Sequence, residues 1–159
     1  MQLLSTFTRK QYQLVKGSRQ DLLSYCKTIA PEKFIEQSVL FGRGGSMRSL
    51  LVHVNNTYQF WIQQVALGRL ATYIAHEEIQ TIDDAINMFA LVDKLMEEFI
   101  QALDSMPEEL VYEEDGEKII IRPFDVYSHV ITHEYHHKGQ IISLSRHLGY
   151  TPIDTDIMK

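Results

Sequence analysis

A chain of 159 residues with 45% hydrophobic and 23% charged residues reads as one domain, 1–159, of ordinary globular composition. The formal net charge of -6 excludes broad nucleic-acid binding, because an acidic surface repels phosphate backbones, and no basic cluster is longer than Arg9-Lys10. No apolar run approaches the roughly 18 residues of a membrane span; the start, Met1-Gln2-Leu3-Leu4-Ser5-Thr6, has no basic-then-apolar leader; and the single cysteine, Cys26, permits no intrachain disulfide, which fits a reducing cytoplasm.

Four segments carry helical periodicity. The first is predicted over roughly Thr8 to Ile29, with an apolar stripe of Tyr12, Val15, Leu22, Cys26 and Ile29 that Arg19 interrupts, and Pro31 follows its end. Cys26 within that stripe reads as a core residue rather than a nucleophile. The run Phe41-Gly42-Arg43-Gly44-Gly45-Ser46 is predicted as a connector. It is not a phosphate-binding G-x-x-x-x-G-K-[ST] loop and no strand precedes it, while Ser46 suits the N-cap of the next helix. That second helix is predicted from about Met47 to Leu67, with Met47, Leu50, Val54, Tyr58, Trp61 and Val65 on its apolar side.

The third helix has the clearest pattern. Thr81 caps it, Asp83 and Asp84 sit in its first turn, and Ile82, Ala85, Phe89, Val92, Met96, Phe99 and Leu103 recur at spacings of three and four up to Pro107. Leu110-Val111-Tyr112 and Lys118-Ile119-Ile120-Ile121 then flank Glu113-Glu114-Asp115-Gly116, and Asp-Gly between two β-prone runs predicts a hairpin. Pro123 suits the first position of a fourth helix that runs to about Leu148, with Gly149 as its stop and Pro152 beyond. The predicted fold is all-α, a four-helix bundle with a short β-hairpin before the last helix.

The fourth helix carries His133-Glu134-Tyr135-His136-His137. Residues at i and i+4 share a helix face, so two imidazoles can reach one ion, and the string satisfies the H-E-x-x-H pattern of zinc proteases. Val126, Val130, Ile141, Leu144 and Leu148 define the inward face; His137 falls in its middle, His133 on its flank, and His129 and His136 near the edge. A lone histidine on an apolar face is more often a satisfied core residue. Two stacked neutral imidazoles each need partners, and a shared cation meets that need. Zinc or nickel needs at least a third protein ligand. His53 borders the apolar face of the second helix and is the natural third, since ligands in a bundle come from facing helices. His76 lies in a connection where a solvated role is expected, and His147 is too far along the helix.

The protease reading weakens on the residues that follow. Gln140 and Ser143 stand where the extended pattern needs Gly and His, and no Glu follows Glu134. Glu134 points near the inner face as a base, as an orienting partner of an imidazole, or as a solvated carboxylate. Asn56 and Gln140 are polar groups near the inner faces. Tyr135, Phe124, Ile131 and Ile142 form a second apolar stripe on the outer side of this helix, for a subunit contact or burial by another helix.

His53 within Leu50-Leu51-Val52-His53-Val54, the run from His129 through His133 and His137 to Lys138-Gly139-Gln140, and the ending Leu148-Gly149-Tyr150-Thr151-Pro152 together resemble the DinB/YfiT-like family of metalloenzymes over nearly the whole chain. Lys138 stands where members often carry Arg, which leaves the ligands untouched. The resemblance implies an up-and-down bundle, commonly a homodimer, and a divalent metal held by His53, His133 and His137. It also implies thiol-dependent S-transfer with a small-molecule thiol and an electrophile as partners, although many members have no established activity. Three histidines leave a coordination position open, as in catalytic rather than structural sites. A thiol there loses its proton readily; a bound water would instead serve a small hydrolase using H-E-x-x-H. A non-catalytic metal-binding or stress-response protein is the alternative to an enzyme.

Overall fold

The computed structural model describes residues 3–41 and 45–158; positions 42–44 of the predicted glycine-rich connector lie outside them. Four long helical stretches carry the chain: α1 (Leu3–Cys26), α3 (Met47–Tyr58) with its continuation, α4 (Ile82–Ala102) and α5 (Pro123–His147). The described residues also form a short α2 (Pro31–Ile35), a two-stranded hairpin, β1 (Leu110–Glu114) and β2 (Glu117–Ile121), and short 3-10 turns at Val39–Phe41, His76–Glu78 and Leu103–Ser105. The molecule is mostly helical, with the hairpin directly ahead of the last helix as predicted. Among the described residues no helix is long and apolar enough to cross a membrane.

Local chemistry explains the boundaries. The Ser46 side chain accepts a hydrogen bond from Ser49 N at 2.9 Å and opens α3. Thr81 and Asp84 form a reciprocal capping box at the start of α4: Asp84 N donates to Thr81 Oγ1 at 3.2 Å and Thr81 N to Asp84 Oδ2 at 2.8 Å. In the hairpin, Leu110 pairs with Ile121 and Glu114 with Glu117, and the turn puts Asp115 at φ 52° and Gly116 at φ 81°. Two successive left-handed residues match the right-handed twist of the strands, which is why Asp-Gly suits this turn. Gly149, at φ 90°, ends α5 where the sequence places its stop.

The structure departs from the sequence prediction at both ends of α1, at Pro31 and in the second predicted helix. Helix α1 starts at Leu3 rather than Thr8 and ends at Cys26 rather than Ile29. Its exit tightens into bonds from Thr28 N to Tyr25 O at 2.9 Å and from Ile29 N to Cys26 O at 3.2 Å, and Ile29 is still buried. Pro31, expected only as a stop, occupies the first turn of α2, which buries Phe34. The predicted single helix from Met47 to Leu67 is α-helical only to Tyr58; Gln59–Ala66 is a π-helix, closed by Leu67 N to Ile62 O at 2.9 Å. Periodicity alone cannot separate these two helix types over two turns, because either keeps Ile62 and Val65 inside.

The apolar stripes of the long helices meet in one core that includes Val15, Cys26, Met47, Tyr58, Val92, Phe99, Val126 and Leu144. Helix α3 packs on both α4 and α5, and α1 packs on α4 and α5. The outer stripe of α5 is divided. Ile131 is buried, Tyr135 and Ile142 are half-buried, and Phe124 is 47% exposed. Tyr135 lies under the Lys138 ammonium, 4.0 Å from its ring centroid. The same ammonium donates to Ser18 Oγ at 2.6 Å and to Thr155 O at 2.8 Å, fastening the C-terminal segment to α1.

Arg19, the charge in the apolar stripe of α1, is 3% exposed. Its Nε and Nη2 donate to the two oxygens of Glu134 at 2.7 and 2.8 Å, a bidentate pair between α1 and α5. Nη1 donates to Asp93 Oδ1 of α4 at 2.7 Å, and Tyr58 OH of α3 donates to Glu134 Oε2 at 2.6 Å. The guanidinium carbon also stands 4.7 Å from the centroid of the Phe89 ring. Burial disfavours the Arg19 charge, but the Glu134 carboxylate together with Tyr12 and Tyr58 outweighs it and holds the guanidinium pKa above its ordinary value. One cation thus ties all four long helices. Removing Arg19 leaves the Glu134 carboxylate buried without a cation, and removing Glu134 leaves Arg19 with Asp93 alone, so Arg19→Ala or Glu134→Ala is expected to cost about 3–5 kcal/mol in urea unfolding. The double variant Arg19→Met, Glu134→Leu should lose markedly less than the sum of the single losses.

Candidate metal centre

The ion pair sets the rotation of α5. With Glu134 turned inward to Arg19, His133 and His137 flank it on the side that faces α3. His137 is 9% exposed, His133 is half-buried, and His129 and His136 are exposed, in the order that the helical periodicity predicts. His53 of α3 is exposed on the same seam. The ligand-capable nitrogens of His53, His133 and His137 lie within 4.8 Å of one another. His133 Nε2 is 3.1 Å from His53 Nε2 and 3.1 Å from His137 Nε2. The sequence-predicted triad is therefore brought together. His76 is not part of it and pairs with Glu77 at 2.9 Å on the surface, while His147 lies exposed in the last turn of α5.

The donor set fits a divalent ion. Two imidazole nitrogens bound tetrahedrally to one zinc at about 2.0–2.1 Å stand about 3.3 Å apart, close to the spacing here. Proton bookkeeping points the same way. His137 Nδ1 donates to Gln140 Oε1 at 2.6 Å, which leaves Nε2 as a lone-pair donor aimed at the cluster. A proton on His133 Nε2 can point at only one of its two neighbours, and His133 Nδ1 is buried with no hydrogen-bond partner among the described residues. At most one of the two 3.1 Å contacts of His133 Nε2 is therefore a hydrogen bond, and a shared cation would satisfy all three ring nitrogens.

The polar groups weighed in the sequence take different roles. Gln140 orients His137. Asn56, by contrast, has turned from the site: its Oδ1 accepts from Ile74 N at 3.0 Å and its Nδ2 donates to Ile74 O at 2.9 Å, pinning the connection before α4. Glu134 is neither solvated nor bonded to an imidazole, since Arg19 and Tyr58 take its oxygens. Cys26 is buried in the core, and burial pushes its thiol up to about 12, so it stays protonated at neutral pH. Thr57 is a site residue that periodicity did not single out. Its hydroxyl donates to His53 O at 2.9 Å and its oxygen stands 3.5 Å from His133 Nε2.

Burial, then the neighbouring His137 and His53, lowers His133 from 6.5 to about 3. Burial also lowers His53 and His137, so the three rings are neutral near pH 7, as ligands must be. The stability consequence follows in sign. Between about pH 6.5 and about 3 the unfolded chain takes up a proton at position 133 that the folded chain refuses, so stability falls as pH falls through this window. Urea midpoints of the metal-free protein should drop below about pH 6.5, and His133→Leu should flatten that part of the profile.

No curated protein matches the chain. The sequence model of the DinB family matches residues 4–159, nearly the whole chain and all three histidines. On that match, the chain belongs to the DinB family.

Proposed function

We propose that this chain holds a zinc- or nickel-class divalent ion through His53, His133 and His137 and acts as a metal-dependent thiol S-transferase. The observation that carries the metal reading is the convergence of three ring nitrogens within 4.8 Å, His133 Nε2 standing 3.1 Å from each of the other two, with Gln140 fixing the tautomer of one ring. The four long helices agree with the four-helix bundle of the family reading. A homodimer is part of the same reading, and sedimentation of the purified chain reads it.

A divalent ion bound there would supply Lewis acidity, lowering the pKa of a thiol or water at its open position. The chain's own groups define what surrounds that position. His53 is exposed, so the site is open on the α3 side to a small molecule. The Thr57 hydroxyl spends its proton on the His53 carbonyl, so its oxygen is free to accept a hydrogen bond from an incoming S–H or O–H group. In S-transfer the thiol gives its proton to solvent, its sulfur bonds to the electrophilic carbon, and the bond from that carbon to its leaving group breaks, the leaving group departing with the electron pair. A hydrolase that uses Glu134 as its base has less support, because both Glu134 oxygens are occupied by Arg19 and Tyr58.

Metal analysis of the purified protein should find about one zinc or nickel per chain, absent from His137→Ala. Metal-loaded protein mixed with a low-molecular-weight thiol and a model electrophile should consume thiol. Chelation should stop the reaction while the helical circular dichroism persists, because the core does not run through the site. A stoichiometric metal with no thiol consumption would reduce the reading to a metal-binding protein, and unfolding on chelation would make the ion structural.

A further inference from the structure

The seam between α3 and α5 continues beyond the histidine triad. His53 contacts His137 at a ring separation of 4.7 Å, and further along the seam Trp61 contacts His129 at 5.0 Å, so the two helices run antiparallel and present paired rings. The His129 ring in turn stacks on His133 at 5.8 Å and 30°. Tyr112 of β1 meets Trp61 edge-to-face at 5.3 Å, and Phe60 meets both. The aromatic group is therefore continuous with the metal-binding rings, one imidazole away from them.

Hairpin packing alone does not account for this group. Phe60, Trp61 and Tyr112 are each only half-buried, and His129 is exposed. Trp61 lies in the π-helical stretch, a backbone form that recurs at functional sites. None of Thr57, Phe60, Trp61, Tyr112, His129 and His133 carries a formal charge while the imidazoles are neutral. Glu114, hydrogen-bonded to Tyr112, puts a carboxylate at the rim, so an anionic group on a ligand would find no counter-charge among these side chains, whereas a planar apolar ring would find π faces and edges.

We propose that this aromatic shelf binds an uncharged planar ring, aromatic or conjugated, on the molecule whose polar end reaches the histidine triad. The inference rests on the metal-site reading for the polar end, and on Trp61, Tyr112 and His129 for the ring. It names the substrate class as compounds with an apolar planar group close to the reacting atom.

The chain has one tryptophan, so its single indole N–H signal in a proton–nitrogen correlation spectrum reports the shelf alone. The probes are phenylmethanethiol and cyclohexylmethanethiol, titrated into zinc-loaded protein of known metal content. The phenyl probe should shift the indole signal saturably and bind about fivefold to tenfold tighter than the cyclohexyl probe. By calorimetry, Trp61→Leu should lose that preference with metal content unchanged, and Trp61→Phe should keep most of it. Equal affinity for the two rings, a preference that survives Trp61→Leu, or no binding of either probe to zinc-loaded protein would overturn the shelf. Failure of the metal reading appears separately, as absence of stoichiometric zinc before any probe is added.

Discussion

A single buried guanidinium sets the geometry on which the rest depends. Arg19 sits among apolar side chains where an unpaired cation would not be tolerated, and Glu134, Asp93, Tyr12 and Tyr58 surround it from α1, α3, α4 and α5. A bidentate pair is directional as well as attractive, so α5 cannot rotate about its axis without losing both bonds to Glu134. That constraint decides which histidines of the fourth helix face α3. An apolar pair of similar volume would hold the helices together but leave their rotation less sharply specified.

The H-E-x-x-H string therefore has two jobs divided between its two faces. The histidines look along the seam toward His53, His137 buried and His133 half-buried, and the glutamate looks inward to the core. In a zinc protease the glutamate serves the same site as the histidines; here its oxygens are taken by Arg19 and Tyr58, which draws the chemistry of the site away from hydrolysis. What remains around the triad is a mild set of groups: the Gln140 amide, the Thr57 hydroxyl, and aromatic edges. Such a set suits chemistry in which the metal lowers a pKa and the protein supplies orientation and a dry surface.

Much of this was legible in the residues. The i, i+4 spacing of His133 and His137, the placement of His137 on the inward stripe, and His53 on the facing helix gave the triad before any coordinates, because helix periodicity converts directly into shared faces. The Asp-Gly hairpin and the Thr81 cap were equally readable, since each rests on local backbone chemistry. The roles of Arg19 and Asn56 were not. Arg19 was visible as an interruption of an apolar stripe, and a charge in such a stripe demands a partner, but Glu134 lies 115 positions away and only the packing of α1 on α5 unites them. Asn56 faced the right way by helical angle, yet a backbone pair at Ile74 offered it two hydrogen bonds at once. The π-helical stretch after Tyr58 was hidden because it keeps the same residues inside.

The central claim is that His53, His133 and His137 hold one ion together while a coordination position stays open. X-ray absorption at the metal edge of the purified, metal-loaded protein tests it most directly. The account predicts nitrogen scatterers at about 2.0–2.1 Å with the outer-ring pattern of three imidazoles, plus a lighter exchangeable ligand that a thiol probe replaces with sulfur at about 2.3 Å. An oxygen-only environment without imidazole scattering, or a spectrum unchanged in His53→Ala, would contradict it.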